Sequence, residues 1–433
     1  MRIGMLSATY DPAVVNGAVR MVTLYKQYLE ALGHEVTIFT LGDESESDES
    51  ARVIRSPGIR LGNYGYYLSM GYSRKAQALL SQMDVVHAHH LLMSVEMAHR
   101  YADCPIVYTN HTRYDLYTGT YTPLPQPAAD AIMRQVWPEF TDLADVVIAP
   151  SESVRQVMID FGVRARIVVI ENGIEMEPFL HPPQPRTKAD YGLPETARLM
   201  VYIGRIATEK NLAALLEQFA AARHLVPDLY LALIGKGANE EELRKLAEEL
   251  QLGSSVQFRG IVPYDDVPNW LAAADAFVTA STSEVHPLTV IEAMAAGKPI
   301  AAVHSPGISD SVESGVNAYL AATCDSLDAA IVALMADPAR TRAMGEAARA
   351  VSARFDIHRT IAATVELYEE LLQTRPDLHR EREHGRWARR TEKWGSMLDQ
   401  LAELIWPSSE DVDPNTRGWW AQVTQNMRKQ VDE

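Results

Sequence analysis

The sequence predicts an α/β protein in which two doubly wound domains, each built on a parallel sheet, face a central cleft. Its 433 residues exceed the roughly 250–300 at which one hydrophobic core stops growing. Short apolar runs alternate with helical patterns in two separate series along the chain. Between the series lies a proline-rich stretch from Pro178 to Pro185, which can continue neither a helix nor a central strand. We therefore expect a domain boundary at this stretch.

The first series has the composition of buried parallel strands joined by helices. After the first strand, apolar side chains recur on one face of a helix that Gly33 ends as a C-terminal cap. The expected strands are residues 2–7, 35–40, 84–88, 106–109, 146–149 and 167–170, with the first helix at residues 17–32. Successive strand, helix and parallel strand imply right-handed crossovers.

The second series repeats this architecture. Strands are expected at residues 199–203, 230–234, 256–259, 276–279 and 299–302, and helices at residues 211–223, 240–250, 267–272 and 290–296. The predicted division is a first domain at 1–177, a linker at 178–195, a second domain at 196–355, a helix at 356–375 returning to the first domain, and a helical extension at 376–433. Ligands bind beyond the carboxyl ends of the strands in such sheets, so we expect functional residues in those loops.

Composition and charge disfavour several classes of protein. A net charge of −17 gives no global attraction to nucleic acid or anionic lipid. Two cysteines, Cys104 and Cys324, are too few for a disulfide framework or a zinc ribbon. The N-terminus lacks the apolar core of a signal peptide, and no run of about 18 apolar residues predicts a membrane span. We expect a soluble, cytoplasmic protein with no nucleic-acid partner.

Two glutamates eight positions apart form the most specific feature of the chain. Glu284 follows the strand at 276–279, and Glu292 lies in the apolar stretch of the next helix. Ion pairing or helix solvation would be the ordinary explanation of two glutamates. An unpaired carboxylate among apolar residues is costly, however, so we expect Glu292 to hold hydroxyl groups.

Two cations follow the first strand of the second domain. Arg205 and Lys210 come directly after Gly204, where a fork-shaped donor, a point charge and helix-terminal amides together suit a diphosphate. Such residues are more often solvated surface charges, but their position at a strand end favours a binding role. Gly235-Lys236-Gly237 follows the next strand, and this pair of glycines is either a tight turn or a place where backbone approaches a nucleotide.

The first domain offers fewer candidates. Residues 10–18 link the first strand to its helix and place Asn16 and Gly17 where backbone amides can meet an anion. The motif G-x-G-x-x-G is absent, which disfavours a nicotinamide enzyme. His111 follows the strand at 106–109, although a lone histidine is more often structural.

These motifs together resemble the retaining glycosyltransferases of family 4, which have the GT-B fold of two Rossmann-like domains. The resemblance covers about residues 1–372. It rests on the E-x7-E motif of Glu284 and Glu292, followed by Ala-Met-Ala-Ala-Gly-Lys-Pro, and on Gly204-Arg205 with Glu209-Lys210-Asn211. Weaker agreements are Gly33-His34-Glu35-Val36, residues 84–89 and Glu171-Asn172-Gly173-Ile174.

The resemblance implies transfer of a hexose from a UDP- or GDP-hexose with net retention of configuration at the anomeric carbon. A glucose-type hexose is favoured over other hexoses. The donor would bind the second domain and the acceptor the first. Arg205 and Lys210 would neutralise the leaving diphosphate, Glu292 would hold the ribose, Glu284 would contact sugar hydroxyls, and His111 would line the reacting sugar. The donor-binding set is completed by Gly17, Gly204, Gly235, Lys236, Leu288 and Thr289. Cations and helix dipoles can stabilise a departing diphosphate without a metal, and no Asp-x-Asp motif occurs, so we expect metal-independent catalysis with no cofactor.

Departures from the family pattern narrow these expectations. The first loop has one glycine where the family often has two, which argues against a starch or glycogen synthase. His286-Pro287 replaces the Phe-Gly pair of many relatives, and Pro287 removes an amide that could have met the donor.

The acceptor expected from the resemblance is a lipid in preference to a soluble sugar or polyol. The residues around Leu288-Thr289 and His111-Thr112-Arg113-Tyr114 look similar to bacterial enzymes that glucosylate diacylglycerol. The acceptor-side candidates are Tyr10, Asn16, Tyr64, Tyr66, Tyr67 and Arg113. The aromatic and basic side chains at Arg60, Tyr64, Tyr66, Tyr67, Tyr72, Arg74 and Lys75 suit a membrane interface, or else they cover the edge of a core.

The extension after residue 375 carries Trp387 and Trp394 on one helical stripe with Leu398, Leu401 and Ile405. Three partners are open for this stripe: the first domain, a second subunit of a homodimer, or the inner face of the membrane. Amphipathic helices more often bury such a face in protein.

Two further classes of function stay open at this stage. A noncatalytic sugar-nucleotide or glycan-binding protein could keep the fold, and the altered glycine loops and Pro287 are the features that allow it. A phosphorylase or an epimerase of the same fold is the other alternative. One fold hosts many functions, so the activity must be measured to discriminate these classes. Donor binding without turnover would indicate the binding protein, phosphate-dependent cleavage a phosphorylase, and donor isomerisation an epimerase.

Overall fold

The computed structural model describes residues 1–11, 16–45, 48–61, 66–69, 71–116 and 126–374. Within these residues the chain forms a seven-stranded parallel sheet, a six-stranded parallel sheet and a two-stranded antiparallel ribbon. Helices cover the two large sheets. The α/β class and the two doubly wound domains predicted from the sequence are therefore confirmed.

The first sheet has the strand order β3-β2-β1-β6-β7-β8-β9. The strands of this half are β1 Arg2–Leu6, β2 Glu35–Leu41, β3 Val53–Ser56, β4 Ile59–Leu61, β5 Tyr66–Leu68, β6 Val85–Ala88, β7 Ile106–Thr109, β8 Val146–Ala149 and β9 Ile167–Val169. Its helices are α1 Gly17–Ala31, α2 Arg74–Leu80, α3 Glu96–Tyr101, α4 Gln126–Thr141, α5 Glu152–Asp160 and α6 Glu177–Leu180, with an irregular π-type turn at Leu91–Val95. The chain changes direction across the sheet between β1 and β6.

The second sheet has the order β12-β11-β10-β13-β14-β15. Its strands are β10 Arg198–Ile203, β11 Leu229–Ile234, β12 Val256–Gly260, β13 Ala276–Thr279, β14 Ile300–Val303 and β15 Ala318–Ala321. The helices are α7 Leu212–Arg223, α8 Glu240–Glu249, α9 Val267–Ala273, α10 Leu288–Ala295, α11 Leu327–Met335 and α12 Pro338–Ser352. Short 3-10 turns lie at Lys188–Tyr191, Thr208–Lys210, Gly253–Ser255, Tyr264–Asp266, Cys324–Ser326 and Ala353–Phe355. Here the switch in strand order falls between β10 and β13.

The last described helix, α13 at Ile357–Thr374, packs against the first domain. Its buried side chains, among them Ile361 and Tyr368, share a core with β1 and α1. The Tyr25 hydroxyl lies 3.2 Å from Thr364 Oγ1 across this interface. The chain thus crosses back from the second domain to the first.

Several elements differ from the sequence-based expectation. The edge strands β3 and β15 and the ribbon β4–β5 were not predicted from the sequence, and neither was the long helix α4. Tyr72 is buried and stacks on Phe39, with 6.5 Å between ring centroids, so of the two alternatives given for these side chains Tyr72 covers the core. The Tyr67 ring lies over Gly42, where an added Cβ would come within 3.1 Å of it.

The tryptophan-bearing extension and Tyr64 lie outside the described residues. Among the described helices, none is long and apolar enough to cross a membrane.

Candidate active site

A set of paired charges follows the strands at the switch point of the second sheet. Lys210, in the turn after β10, donates to Glu284 Oε1 at 2.6 Å, and Glu284 lies in the loop after β13. Both side chains are largely buried, with 13% and 18% of their surface exposed. We call Arg205, Glu209, Lys210 and Glu284 the cationic cluster. The predicted convergence of these loops follows from the adjacency of β10 and β13 in the sheet.

The Glu284 carboxylate is held in its ionised form. Burial alone would raise its pKa, but the charge and hydrogen bond of Lys210, together with the charge of Arg205, outweigh burial and lower the pKa below its usual value. The residue predicted to contact sugar hydroxyls therefore accepts hydrogen bonds at neutral pH.

Arg205 stands at the exposed side of the cationic cluster. Its NH2 donates to Glu209 Oε1 at 2.7 Å, and 45% of its side chain is exposed against 2% for Glu209. The Tyr202 hydroxyl donates to the Arg205 carbonyl at 2.8 Å and fixes the backbone of this turn. A guanidinium anchored at one end and accessible to solvent can bind an anion by small adjustments.

Glu292 is buried on α10 and belongs to a separate network. The Tyr264 hydroxyl donates to Glu292 Oε1 at 2.7 Å. Burial raises the pKa of Glu292 to about 7, although Tyr264 and the charge of Arg20 act in the opposite direction. Arg20 comes from α1 of the first domain, and its guanidinium carbon lies 3.8 Å from the centroid of the Tyr264 ring.

The N-terminus of α10 lies between the two motif glutamates. Leu288 and Thr289 occupy its first turn, where backbone amides have no acceptor within the helix. Pro287 is the N-cap residue and contributes no side-chain cap. These amides provide positive partial charge at the end of the switch-point loop.

The glycines after β11 allow the backbones of two loops to approach closely. Gly235 has φ +144°, and an added Cβ would lie 1.8 Å from the Gly204 carbonyl oxygen. A Cβ on Gly237 would lie 1.9 Å from the carbonyl oxygen of Ile206. Protein backbone lies against both glycines, which favours the tight-turn alternative, and the donor-binding roles of Gly235 and Lys236 stay predictions. Lys236 between them is exposed.

A group of histidines follows the central strands of the first sheet. His89 Nδ1 lies 3.0 Å from His111 Nε2, so one nitrogen of this pair carries the shared proton and the two tautomers depend on each other. The backbone amide of Ala8, after β1, donates to His90 Nδ1 at 3.2 Å. We call His87, His89, His90 and His111 the histidine cluster.

Burial keeps the histidine cluster neutral. It lowers the pKa of His87 and of His111 to about 3 and that of His90 to about 4. His87 lies 2.6 Å from both the Tyr368 hydroxyl and Thr109 Oγ1, so its two nitrogens are satisfied within the core. His89 Nε2 is buried without a partner among the described residues.

The predicted residues of the first loop lie at and before the start of helix α1. Asn16 is the N-cap of α1, and its side chain accepts from the Ala18 amide at 2.9 Å. Gly17 has no described atom within 4 Å of an added Cβ, so its role in approaching a diphosphate stays a prediction. Tyr10 is buried in the core of the first domain, and its hydroxyl accepts from Thr23 at 3.4 Å.

Arg113 does not present an exposed cation to an acceptor. It forms a buried ion pair with Asp115, in which NH2 donates to Oδ2 at 2.6 Å and Nε donates to Oδ1 at 2.9 Å. Its NH1 is buried without a partner among the described residues. Tyr66 lies on β5, while Tyr64 lies outside the described residues.

The two domains also meet beside the cationic cluster. Ser151 Oγ, after β8, donates to the Val285 carbonyl at 3.2 Å. The backbone amide of Gly307 donates to Ser153 Oγ at 2.9 Å, and the Ser153 amide donates to Asp310 Oδ2 at 2.8 Å. The loop that carries Glu284 is thereby in contact with the first domain.

Sequence reasoning missed Arg20, Tyr264, His89 and Ser153. Tyr264, His89 and Ser153 follow β12, β6 and β8, so the rule that functional residues lie beyond strand ends could have found them. Arg20 lies inside a helix and contacts Tyr264 in the other domain, which no local pattern indicates.

Two family models match the chain. The model described as Glycosyltransferase Family 4 matches residues 15–178, and the model described as Glycosyl transferases group 1 matches residues 183–351.

The chain is also similar to individual proteins. It is 31% identical over 341 residues to the alpha-monoglucosyldiacylglycerol synthase of Acholeplasma laidlawii, covering 73% of this chain and 84% of that protein. It is 29% identical over 352 residues to the enzyme of the same name from Streptococcus pneumoniae, covering 78% and 79%. The crystal structure of Anabaena HepE in complex with UDP and glucose matches with a TM-score of 0.67 at 21% identity, covering 86% of this chain and 100% of that one. At that identity the structural match shows the fold.

Proposed function

The chain belongs to the family 4 glycosyltransferases with the GT-B fold, and from this premise we propose that it moves a hexose from a UDP- or GDP-hexose to a hydroxyl acceptor with net retention. Its general activity, glycosyl transfer from a nucleotide-sugar donor, follows from the family. The proposal concerns the sugar, the stereochemistry, the acceptor and the residues that act.

The cationic cluster is the observation that carries the proposal. Lys210 and Arg205 lie at the switch point of the second sheet, each joined to a carboxylate of the same cluster. When the bond between the anomeric carbon and the diphosphate breaks, negative charge grows on the phosphate oxygens. Preorganised cations and the amides of Leu288 and Thr289 stabilise that charge without reorganisation.

The remaining donor contacts are assigned to the two motif glutamates. Glu284, ionised beside Lys210, accepts hydrogen bonds from sugar hydroxyls. Glu292, buried on α10, accepts hydrogen bonds from the ribose. In this proposal both carboxylates bind the donor, so they do not act as the acid and nucleophile of a glycosidase.

The histidine cluster supplies neutral hydrogen-bonding groups. His111, coupled to His89, contacts the hydroxyls of the reacting sugar without adding charge. The acceptor oxygen forms the new bond to the anomeric carbon, and its proton passes to the leaving phosphate. No metal is required for this sequence of events in our proposal, since Arg205, Lys210 and the amides at the N-terminus of α10 face the developing charge.

A diacylglycerol-type lipid is the proposed acceptor. Two relatives that align over more than two thirds of this chain bear the name alpha-monoglucosyldiacylglycerol synthase. Such an acceptor would bring the protein to the cytoplasmic face of a membrane as a peripheral enzyme.

The test is nucleoside-diphosphate release from a panel of UDP- and GDP-sugars in the presence of EDTA. Each donor is assayed with diacylglycerol-containing vesicles, with vesicles lacking diacylglycerol, and with soluble sugars and polyols. We expect release from UDP-glucose that depends on diacylglycerol. Release stimulated only by a soluble acceptor would overturn the lipid assignment, and loss of activity in EDTA would overturn metal independence.

A further inference from the structure

One side-chain network joins the two domains at the buried motif glutamate. Arg20 of α1 lies over the ring of Tyr264 in the second domain, 3.8 Å from its centroid. The Tyr264 hydroxyl in turn donates to Glu292 Oε1 at 2.7 Å. Among the described residues Tyr264 is the one hydrogen-bond donor to this carboxylate, so the orientation of Glu292 depends on a residue that the other domain holds.

Arg20 is itself fixed from the side of the first domain. Its NH2 donates to Glu175 Oε2 at 2.5 Å, near the end of the first domain. Glu175 Oε1 also accepts from Gln27 Nε2 and from the Tyr28 hydroxyl, each at 3.3 Å. The guanidinium is therefore held between a carboxylate on one side and an aromatic ring on the other, an arrangement that a lysine could not reproduce.

We propose that Arg20 and Tyr264 are positioning residues that hold Glu292 for the ribose of the donor, so that the donor site is complete only when the first domain contributes Arg20. This inference rests on the proposed function, in which Glu292 binds the ribose.

Carboxylate geometry explains why such support matters. Glu292 has two oxygens, and the bond from Tyr264 engages Oε1, which fixes the direction in which Oε2 points. A buried carboxylate held by no donor would favour its protonated form and would rotate more freely. The Tyr264 bond and the Arg20 charge both favour the ionised form, which accepts hydrogen bonds from both ribose hydroxyls.

The interdomain position of Arg20 adds a consequence for the reaction. If the domains separate, the stacking of Arg20 on Tyr264 is lost and Tyr264 no longer has a fixed position over Glu292. Tight binding of the ribose is then linked to contact between the domains. The ribose does not react, but the free energy of its binding is thereby used to bring the acceptor-side domain into place.

The experiment compares nucleotides that have or lack the ribose hydroxyls. Wild-type protein, Tyr264→Phe and Arg20→Met, all as the full chain, are titrated calorimetrically with UDP, GDP and the 2′,3′-dideoxy form of each. Tyr264→Phe keeps the ring under Arg20 and removes only the hydroxyl. We expect the preference for UDP over 2′,3′-dideoxy-UDP to fall by roughly tenfold, because a hydrogen bond to a charged group is lost, with the affinity for the dideoxy form changed by less than about twofold.

Tyr319→Phe is the matched control. Tyr319 lies in the same domain, with its ring 5.3 Å from the guanidinium carbon of Arg340, and its hydroxyl makes no bond to Glu292. This substitution should leave all four affinities unchanged. Melting temperatures of the variants are measured alongside.

A double-variant cycle tests whether Arg20 acts through Tyr264. Arg20→Met alone should lower the ribose preference by roughly threefold, whereas in the Tyr264→Phe background it should change the preference by less than about twofold. Additive effects would contradict the positioning role of Arg20.

The outcomes separate this inference from the proposed function. If wild-type protein prefers UDP to its dideoxy form and Tyr264→Phe keeps the same preference, the inference is overturned and the proposed function stands. Equal weakening of UDP and dideoxy-UDP in Tyr264→Phe would also overturn the inference. Wild-type protein could also bind neither UDP nor GDP, or bind each nucleotide and its dideoxy form equally. Either result would overturn the assignment of Glu292 to the ribose in the proposed function, and this inference with it.

Discussion

The two domains present contrasting chemistry beyond the same structural feature, the switch point of a parallel sheet. In the second domain, the loops after β10 and β13 meet through the ion pair of Lys210 and Glu284. In the first, the loops after β1 and β6 meet through the Ala8 amide and the neutral ring of His90. The switch point of the second sheet thus carries an ion pair, whereas that of the first sheet carries uncharged imidazoles.

This difference matches the demands of the proposed reaction. In the proposed reaction the leaving diphosphate gathers charge at the cationic cluster, where each cation is paired with a carboxylate and Arg205 is accessible to solvent. In the histidine cluster His87 and His89 are buried and His90 and His111 are half-buried, and loss of solvent lowers the pKa values of His87, His90 and His111 to about 3 or 4. Neutral donors and acceptors can orient hydroxyl groups without competing with the cations for the phosphate.

The largest expected effect comes from removing the buried cation of the second domain. Lys210→Met deletes one charge and leaves Glu284 buried without its partner. We expect kcat for donor turnover to fall by about 10²- to 10³-fold. The control is Lys188→Met, which breaks another partly buried ion pair, with Asp275 of the same domain. If both variants lose activity equally, the loss reports folding of the domain.

The second prediction concerns the neutral state of the first domain. His111→Ala should lower kcat by roughly 10²-fold, while the affinity for UDP stays within about threefold, because His111 is assigned to the sugar. Since burial keeps the pKa of His111 near 3, the wild-type rate should show no histidine titration between pH 5.5 and 8. A change in rate centred near pH 6.5 that disappears in His111→Ala would show that His111 titrates. The contrast between a charged site in the second domain and a neutral one in the first would then be wrong.

The third prediction tests the buried carboxylate on α10. The pKa of Glu292 is raised to about 7 in the free protein, and ribose binding favours the ionised form. The affinity for UDP-glucose should therefore rise by about tenfold per pH unit well below pH 7 and level off above it. Calorimetric titrations between pH 5.5 and 8.5 would measure this slope. A Glu292→Gln variant should bind more weakly and show no such slope; a slope that persists in it must come from another group.

The smallest expected effect concerns sugar selection. Glu284→Gln keeps the shape of the side chain and an oxygen for Lys210 but loses the charge that accepts sugar hydroxyls. We expect the ratio of kcat/KM between UDP-glucose and UDP-galactose to change by about tenfold, with the affinity for UDP within about threefold. Competition assays with both donors would measure it. An unchanged ratio would remove Glu284 from the sugar site.

The sequence was most informative where residues are buried on both faces of a sheet. Central strands such as β7, β8 and β13 are continuous apolar runs, and their predicted bounds agree with the structure. The edge strand β3 has half-exposed residues and no such run, so the pattern did not indicate it. The edge strand β15 is a short apolar run with two half-exposed residues, and sequence reasoning missed it. The loops that carry Arg205, Lys210 and Glu284 could be found because they begin where central strands end.

What escaped sequence reasoning depends on contacts between distant segments. The sequence left two alternatives for the glycines after β11, a tight turn or a nucleotide loop, and only the fold shows that the Gly204 and Ile206 carbonyls lie against them. Arg113 is an exception, because its partner Asp115 lies only two residues away and the sequence did not indicate that this pair would be buried. Arg20 acquires its partner from the other domain.

The most direct measurement of the central claim is the anomeric configuration of the first-formed product. Wild-type protein would be incubated with UDP-α-glucose and diacylglycerol in vesicles, and the product glycoside examined by proton NMR before any equilibration. If the cationic cluster drives departure of the diphosphate and the transfer retains configuration, the product is the α-glucoside. A β-glucoside would contradict the account.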